Sequence, residues 1–254
     1  MTRSRILLPL STALAAAAML ASTEASAQQP PAPAAAASGG TNHAQVVGSF
    51  GVGYMGLGGI AIGQLQGGPT PDISSQNIDA PIIGARYWVS ESLGIDAGIG
   101  FGNTSSKRTV KNGGVTTETE GPSATGFLFH AGVPLVLGTP GQYHTFQVVP
   151  ELNVGFASST IKGTTNNGVT TPDIELGGFR LDVGARVGSE IHFGFVGLPK
   201  LALQATVGLY FSTSSVSGKQ DQLEVTRSQT SIGTSVQAAP WSIFTNNISA
   251  LYYF

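Results

Sequence analysis

The 254-residue chain contains no cysteine, which excludes a disulfide framework and any thiolate metal site. It is also poor in charge. Asp, Glu, Lys and Arg make up 10% of its residues, against about a quarter in an ordinary soluble domain. Twelve basic and fourteen acidic residues leave a net charge of -2. No nucleic acid is therefore expected as a partner, because phosphate binding needs a concentrated positive surface. Long hydrophobic runs are missing after Leu20, so no segment reaches the ~20 apolar residues of a membrane-crossing helix. What the chain has in excess is glycine, 35 residues of it.

The N-terminus carries an export pattern. Met1–Arg5 (MTRSR) is basic, Ile6–Leu20 (ILLPLSTALAAAAML) is apolar, and Ala25 and Ala27 in ASTEASA form an A-x-A cleavage site. Residues 1–27 are expected to be a removed signal peptide, and without cysteine no lipid anchor is expected to replace it. Residues 28–43 are rich in Pro, Ala and Gly and read as a flexible leader. The folded domain is expected to occupy residues 44–254.

From His43 onward the pattern has period two. Phe179–Phe193 (FRLDVGARVGSEIHF) sets Phe179, Leu181, Val183, Ala185, Val187, Ser189, Ile191 and Phe193 against Arg180, Asp182, Gly184, Arg186, Gly188, Glu190 and His192. FQVVPELNVGF (Phe146–Phe156), LGIDAGIGF (Leu93–Phe101) and LALQATVGLYF (Leu201–Phe211) alternate in the same way. Alternation of this kind suits a strand whose two faces meet different environments. Eight such segments are read, at roughly 44–63, 78–89, 92–104, 123–136, 143–160, 174–194, 200–215 and 238–254. Their connections alternate between short (Ser90–Ser92, Gly138–Gln142, Gly197–Lys200) and long, polar stretches near 64–77, 105–122, 161–173 and 216–237. Two long loops share the tip motifs NGGVTT (Asn112–Thr117) and NGVTT (Asn167–Thr171), where Asn-Gly favours a hairpin that continues as a β-ribbon. Glu224–Gln237 has no apolar face and reads as an external extension, with ten strands as the alternative count.

The last residues, NNISALYYF, place Ile248, Ala250, Tyr252 and Phe254 on one face of a final strand that ends in an aromatic. Over residues 44–254 the chain resembles small outer-membrane β-barrel proteins of the OmpA/OmpX type. The expected fold is all-β, an eight-stranded antiparallel up-and-down transmembrane β-barrel with short periplasmic turns and long external loops. The resemblance implies that Ile248, Ala250, Tyr252 and Phe254 act as a signal to the barrel-insertion machinery. It also implies an outer-membrane location in contact with lipid and lipopolysaccharide. The peptidoglycan-binding domain that follows OmpA-type barrels is not implied.

Aromatic spacing favours lipid outside over a soluble barrel with an apolar interior. Phe146–Phe156 and Phe244–Phe254 are each ten residues apart. At about 3.3 Å per residue and a tilt of about 40° that spans roughly 25 Å, the height of the apolar band of such barrels. Arg86, Asp96, Glu151, Arg180, Asp182, Arg186, Glu190 and His192 then point into the lumen. An Arg turned to lipid at the midplane would cost about 2–4 kcal/mol. A barrel of about eight strands is just wide enough for side chains to fill, so these charges are expected to form a salt-bridged plug, with glycines making room for the long Arg side chains.

No cofactor or metal is expected. Gly51–Gly56 (GVGYMG) fits G-x-G-x-x-G, but LGGIAIG follows it without helical period, so it reads as a Gly-lined strand. No Ser stands two residues after His130, His144 or His192 to share its face, as a strand-borne nucleophile and base would require. Lys107, Arg108 and Lys111 form a small basic cluster in an external loop and read as ordinary solvated loop charge, with contact to lipopolysaccharide phosphates as the alternative. The expected role is a non-enzymatic structural or surface-interaction barrel whose long loops meet a surface ligand. A narrow channel for small or apolar solutes is the alternative, and an outer-membrane enzyme a remote one.

Overall fold

The computed structural model describes residues 40–66, 72–112, 115–163, 165–166, 169–235 and 248–254. The signal peptide, most of the leader, the Asn167-Gly168 tip and Phe244 lie outside the described residues. A short helix, α1 (Asn42–Val46), begins at Thr41, whose Oγ1 accepts the Ala44 N–H at 3.1 Å. The strands are β1 (Phe50–Gln66), β2 (Asp72–Trp88), β3 (Gly94–Asn112), β4 (Val115–Gly132), β5 (Leu135–Val136), β6 (His144–Ile161), β7 (Thr165–Asn166), β8 (Val169–Thr170), β9 (Ile174–Phe193), β10 (Leu198–Gln220), β11 (Leu223–Thr234) and β12 (Ile248–Tyr253).

The expectation of eight strands in up-and-down order is corrected: the described residues form one antiparallel sheet of ten strands, with β7 and β8 paired apart from it. Two features account for the difference. The short β5 pairs Leu135 and Val136 with Val148 and Gln147 of β6. The polar segment read as an extension is the regular strand β11, in register with β10 from Gln220↔Leu223 to Leu209↔Thr234. Its ladder rests on backbone hydrogen bonds, which need no apolar face, and Asp221 closes the turn in left-handed backbone at φ 52°. β11 and β12 share one edge of β10, along Leu209–Gln220 and Leu201–Ala205 respectively. The sheet closes because β1 bonds β2 on one side and β12 on the other.

Alternation sorts the side chains. Phe101, Phe127, Phe156 and Phe179 stand directly opposite one another on neighbouring strands of the outer face, with ring centroids 5.3 Å apart for Phe101–Phe127 and 5.5 Å for Phe156–Phe179. Phe50–Tyr87 at 4.7 Å and Tyr252–Phe254 at 5.4 Å mark the other end. The long loop at 105–122 is a ribbon paired as far as Asn112↔Val115.

The interior differs from the expected one. β1 follows the wall up to Tyr54, where a register shift inserts Met55 and Gly56 adopts φ 137°. A bulge of this kind bends the strand. Beyond it β1 keeps β2 as partner but crosses the interior, and Ile60, Ile62, Ile78, Ala80 and Ile82 pack with Leu128, Ala124, Ala157 and Leu176. The inward glycines make room for this hairpin more than for Arg side chains. A Cβ on Gly126 would meet Ile60 at 2.8 Å, and one on Gly178 would meet the Ala61 carbonyl oxygen at 1.8 Å. At the base, Val46 of α1 packs with Trp88, Ala202, Leu251 and Tyr253.

Candidate functional site

The eight interior charges fall into three tiers along the barrel. The lowest is built on Arg86, which stands directly across from Asp96 in the β2–β3 register. Its Nε and Nη2 donate to Oδ1 and Oδ2 of Asp96, each at 2.7 Å, a bidentate pair. Nη2 also donates to Gln204 Oε1 at 2.9 Å, and Nη1 to Glu190. Glu190 accepts two further bonds, from Tyr253 Oη at 2.8 Å and Gln147 Nε2 at 3.2 Å. Tyr253 Oη in turn accepts from Trp88 Nε1 at 3.0 Å, and the Trp88 ring lies 5.6 Å from the Arg86 guanidinium carbon. His192 Nε2 is 3.4 Å from Glu190 Oε1. Arg86, Asp96 and Glu190 are buried but multiply bonded, the condition under which buried ions persist, whereas among the described residues neither ring nitrogen of His192 has a hydrogen-bond partner.

α1 seals this tier from below. His43 contacts the Trp88 ring edge-on at 4.5 Å, lies 6.1 Å from the His192 ring, and reaches the Glu91 carbonyl oxygen through Nε2 at 2.9 Å. The reading that ran the leader through His43 left out this contact, since Asn42 and His43 are buried. The middle tier is the pair Arg186–Glu151, with Asn153 Nδ2 donating to Glu151 at 3.5 Å and Asn153 Oδ1 meeting His130 Nδ1 at 2.8 Å. The upper tier is Arg180, which donates to Asp182 Oδ1 at 2.9 Å and to the Gly59 carbonyl oxygen of the inward hairpin at 3.0 Å. Arg180 and Asp182 line a cavity of about 690 Å³ between the β1–β2 and β10–β11 hairpins, floored by Arg186, Glu151 and Tyr210.

The partners that sequence reasoning missed are Gln147, Gln204, Tyr253, Trp88, His130 and Asn153. All lie on the inward parity of their strands. Ranking neutral amides and aromatics with the charges on that parity would have found them. Among the described residues no group of three or more His, Asp or Glu is placed to hold a metal ion. Ile248, Ala250, Tyr252 and Phe254 are brought into the barrel by β12, with Tyr252 and Phe254 exposed on the outer face.

No protein-family model matches the chain, and no curated protein matches it in sequence. The solved structures that match it include the following two. The attachment invasion locus protein Ail of Yersinia pestis has 13% identity and a TM-score of 0.31, covering 81% of this chain and 97% of its own. The outer membrane protease OmpT from Escherichia coli has 11% identity and a TM-score of 0.33, with the same coverages of 81% and 97%. The finer likeness to OmpA/OmpX-type proteins is not what these comparisons return. The functional reading rests on the chain's own geometry.

Proposed function

We propose that the chain is an outer-membrane β-barrel that serves as a closed structural and surface-interaction protein, not as a channel or an enzyme. The observation that carries this reading is the inverted placement of polarity. Arg86 and Glu190 are 0% exposed while Phe101 and Val187 are each 53% exposed. Water on the outside would select the opposite arrangement, whereas lipid outside and a bonded polar interior accommodate both. Closure is supported by the Arg86–Asp96–Glu190 tier, sealed by α1 beneath and overlain by the inward hairpin. His130 is engaged by an amide and His192 stands beside a carboxylate, positions suited to filling an interior. The exposed Phe254 supports a terminal strand recognised during insertion. The β3–β4 and β10–β11 ribbons supply the contact surface, and outer-membrane lipid and lipopolysaccharide are the proposed surroundings.

The test is single-channel recording on refolded residues 28–254 in a planar bilayer, with insertion verified by a heat-dependent gel shift. Verified insertion without conductance steps is expected. Discrete steps that grow in Arg186→Ala would sink the closed barrel in favour of a narrow channel.

A further inference from the structure

We infer that the cavity between the two hairpins binds a neutral, hydroxyl-rich ligand, a saccharide of one to a few rings. This rests on the reading of a barrel closed at its base, which makes the cavity a blind cup. Its volume, about 690 Å³, falls within the roughly 300–1,000 Å³ of small-molecule sites.

The lining selects the chemistry. Its two guanidiniums are already committed, Arg186 to Glu151 and Arg180 to Asp182. Among the described residues of the lining, Asp79 is the charge without an ion partner, and it is acidic. An anionic ligand therefore meets no free cation, while a hydroxyl meets acceptors. The β10–β11 hairpin treats its two faces differently. On one face, cross-strand hydroxyls bond each other, Thr213 with Thr230 at 3.3 Å and Ser228 with Ser215 at 3.1 Å. On the face lining the cavity, Ser212 opposite Ser231 and Ser214 opposite Gln229 make no such bond and keep their donors and acceptors for something else. The inward hairpin is likewise two-faced. Its isoleucines pack onto the wall, and its other face turns Ser75, Asn77 and Asp79 to the cavity, at alternate positions of β2 opposite Gly63, Ala61 and Gly59.

One further feature fits a sugar. Tyr210 lies over Gly184 and Gly208 at the floor, offering a flat apolar surface to the C–H face of a ring. An acyl chain would strand all these polar groups.

The experiment is ligand-observed NMR on residues 28–254 refolded in lauryldimethylamine oxide, a detergent without a sugar head. The probes are sucrose, maltotriose, diacetylchitobiose and the lipid-free core oligosaccharide of lipopolysaccharide, with inorganic phosphate and laurate as contrasts. Saturable binding of at least one saccharide is expected, weakened about tenfold or more in Asn77→Ala and Gln229→Ala, whose exposed side chains leave the gel shift unchanged. Binding of the simple sugars would point to a free solute, and binding of the core oligosaccharide alone to an envelope glycolipid. The inference is overturned if no saccharide saturates up to about 10 mM. It is equally overturned if binding ignores both variants, or if phosphate or laurate competes for the site. Conductance steps would undo the closed barrel, whereas silence in this titration in a verified, non-conducting barrel undoes the saccharide site alone.

Discussion

Replacing Arg186 by Met tests whether the interior charges hold the barrel together as pairs. The Arg186 and Glu151 side chains are 5% and 4% exposed. With the guanidinium gone, Glu151 keeps only neutral partners, the Tyr210 hydroxyl and a stretched bond from Asn153 at 3.5 Å. Breaking a buried pair by removing one partner costs about 3–5 kcal/mol, because the remaining charge is left uncompensated. That is roughly a hundred- to a few-thousand-fold in the unfolding equilibrium. With a urea slope of about 2 kcal/mol per molar, the midpoint should fall by about 2 M. The double variant Arg186→Met/Glu151→Leu removes both charges and keeps volume, so it should recover most of the loss, as apolar replacements of buried pairs often do. The assay is urea unfolding of the refolded barrel in micelles, followed by Trp fluorescence and by the gel shift. An unchanged midpoint in Arg186→Met would refute the reasoning. A double variant as unstable as the sum of both singles would refute it as well, since it would show that the two residues do not act on each other.

Gly178→Val should drive the inward hairpin away from β9, because the Cβ would meet the Ala61 carbonyl oxygen at 1.8 Å; a cysteine at Ile60 should then react with a maleimide in the variant but not in the parent, and equal reactivity would count against the crossing strand. Val46→Asp places a carboxylate among Trp88, Leu251 and Tyr253, so α1 should leave the base and Trp88 emission should shift to the red, whereas unchanged emission would mean that α1 does not seal the floor. The Asp173 carboxyl is held below its usual range by the Lys162 ammonium at 2.8 Å and then by the Gly163 N–H at 2.8 Å. A depressed value stabilises the loop clasp above the ordinary carboxylate range, and the clasp is lost as pH falls through the lowered value. The Gly163 amide resonance should report that titration, and Asp173→Asn should abolish it.

What the sequence made legible was the two-sidedness of the wall. Strict alternation in FRLDVGARVGSEIHF placed Arg180, Asp182, Arg186, Glu190 and His192 on one side, because period two needs no tertiary information. Partner choice within the interior was not legible: Arg86 is shared among Asp96, Glu190 and Gln204 through positions 104 and 118 residues away in the chain. The path of β1 was hidden for another reason. A single extra residue at Met55 flips every later side chain to the opposite face, and GVGYMGLGGIAIG carries too few large side chains to reveal the change of phase. α1 is five residues long, less than two turns, so it leaves no periodic trace. β11 stayed the alternative count because neither of its faces is predominantly apolar, and apolar alternation does not mark a strand exposed on both sides.

The path of β1 and the character of β11 share one physical origin, the β1–β2 hairpin. A wall strand of this kind turns one face outward and the other to the lumen. Once β1 bends inward, both faces of the hairpin lie inside the barrel and must meet different surroundings there. Its isoleucine face needs room between the wall's side chains, which Gly126, Gly155 and Gly178 provide from β4, β6 and β9. Its other face is thereby turned to the space that β1 leaves beside β10 and β11, and that space needs polar walls to stay open to water. The composition of β11, the inward glycines and the polar residues on alternate positions of β2 then become consequences of one bend at Met55–Gly56. Deleting Met55 would leave every later β1–β2 pair in place, because Gly56 would follow Tyr54 in step with Ile82 after Ile83, but it would remove the bulge that bends the hairpin inward, so the cup should be lost while the pairing of Ile60 with Ile78 is kept.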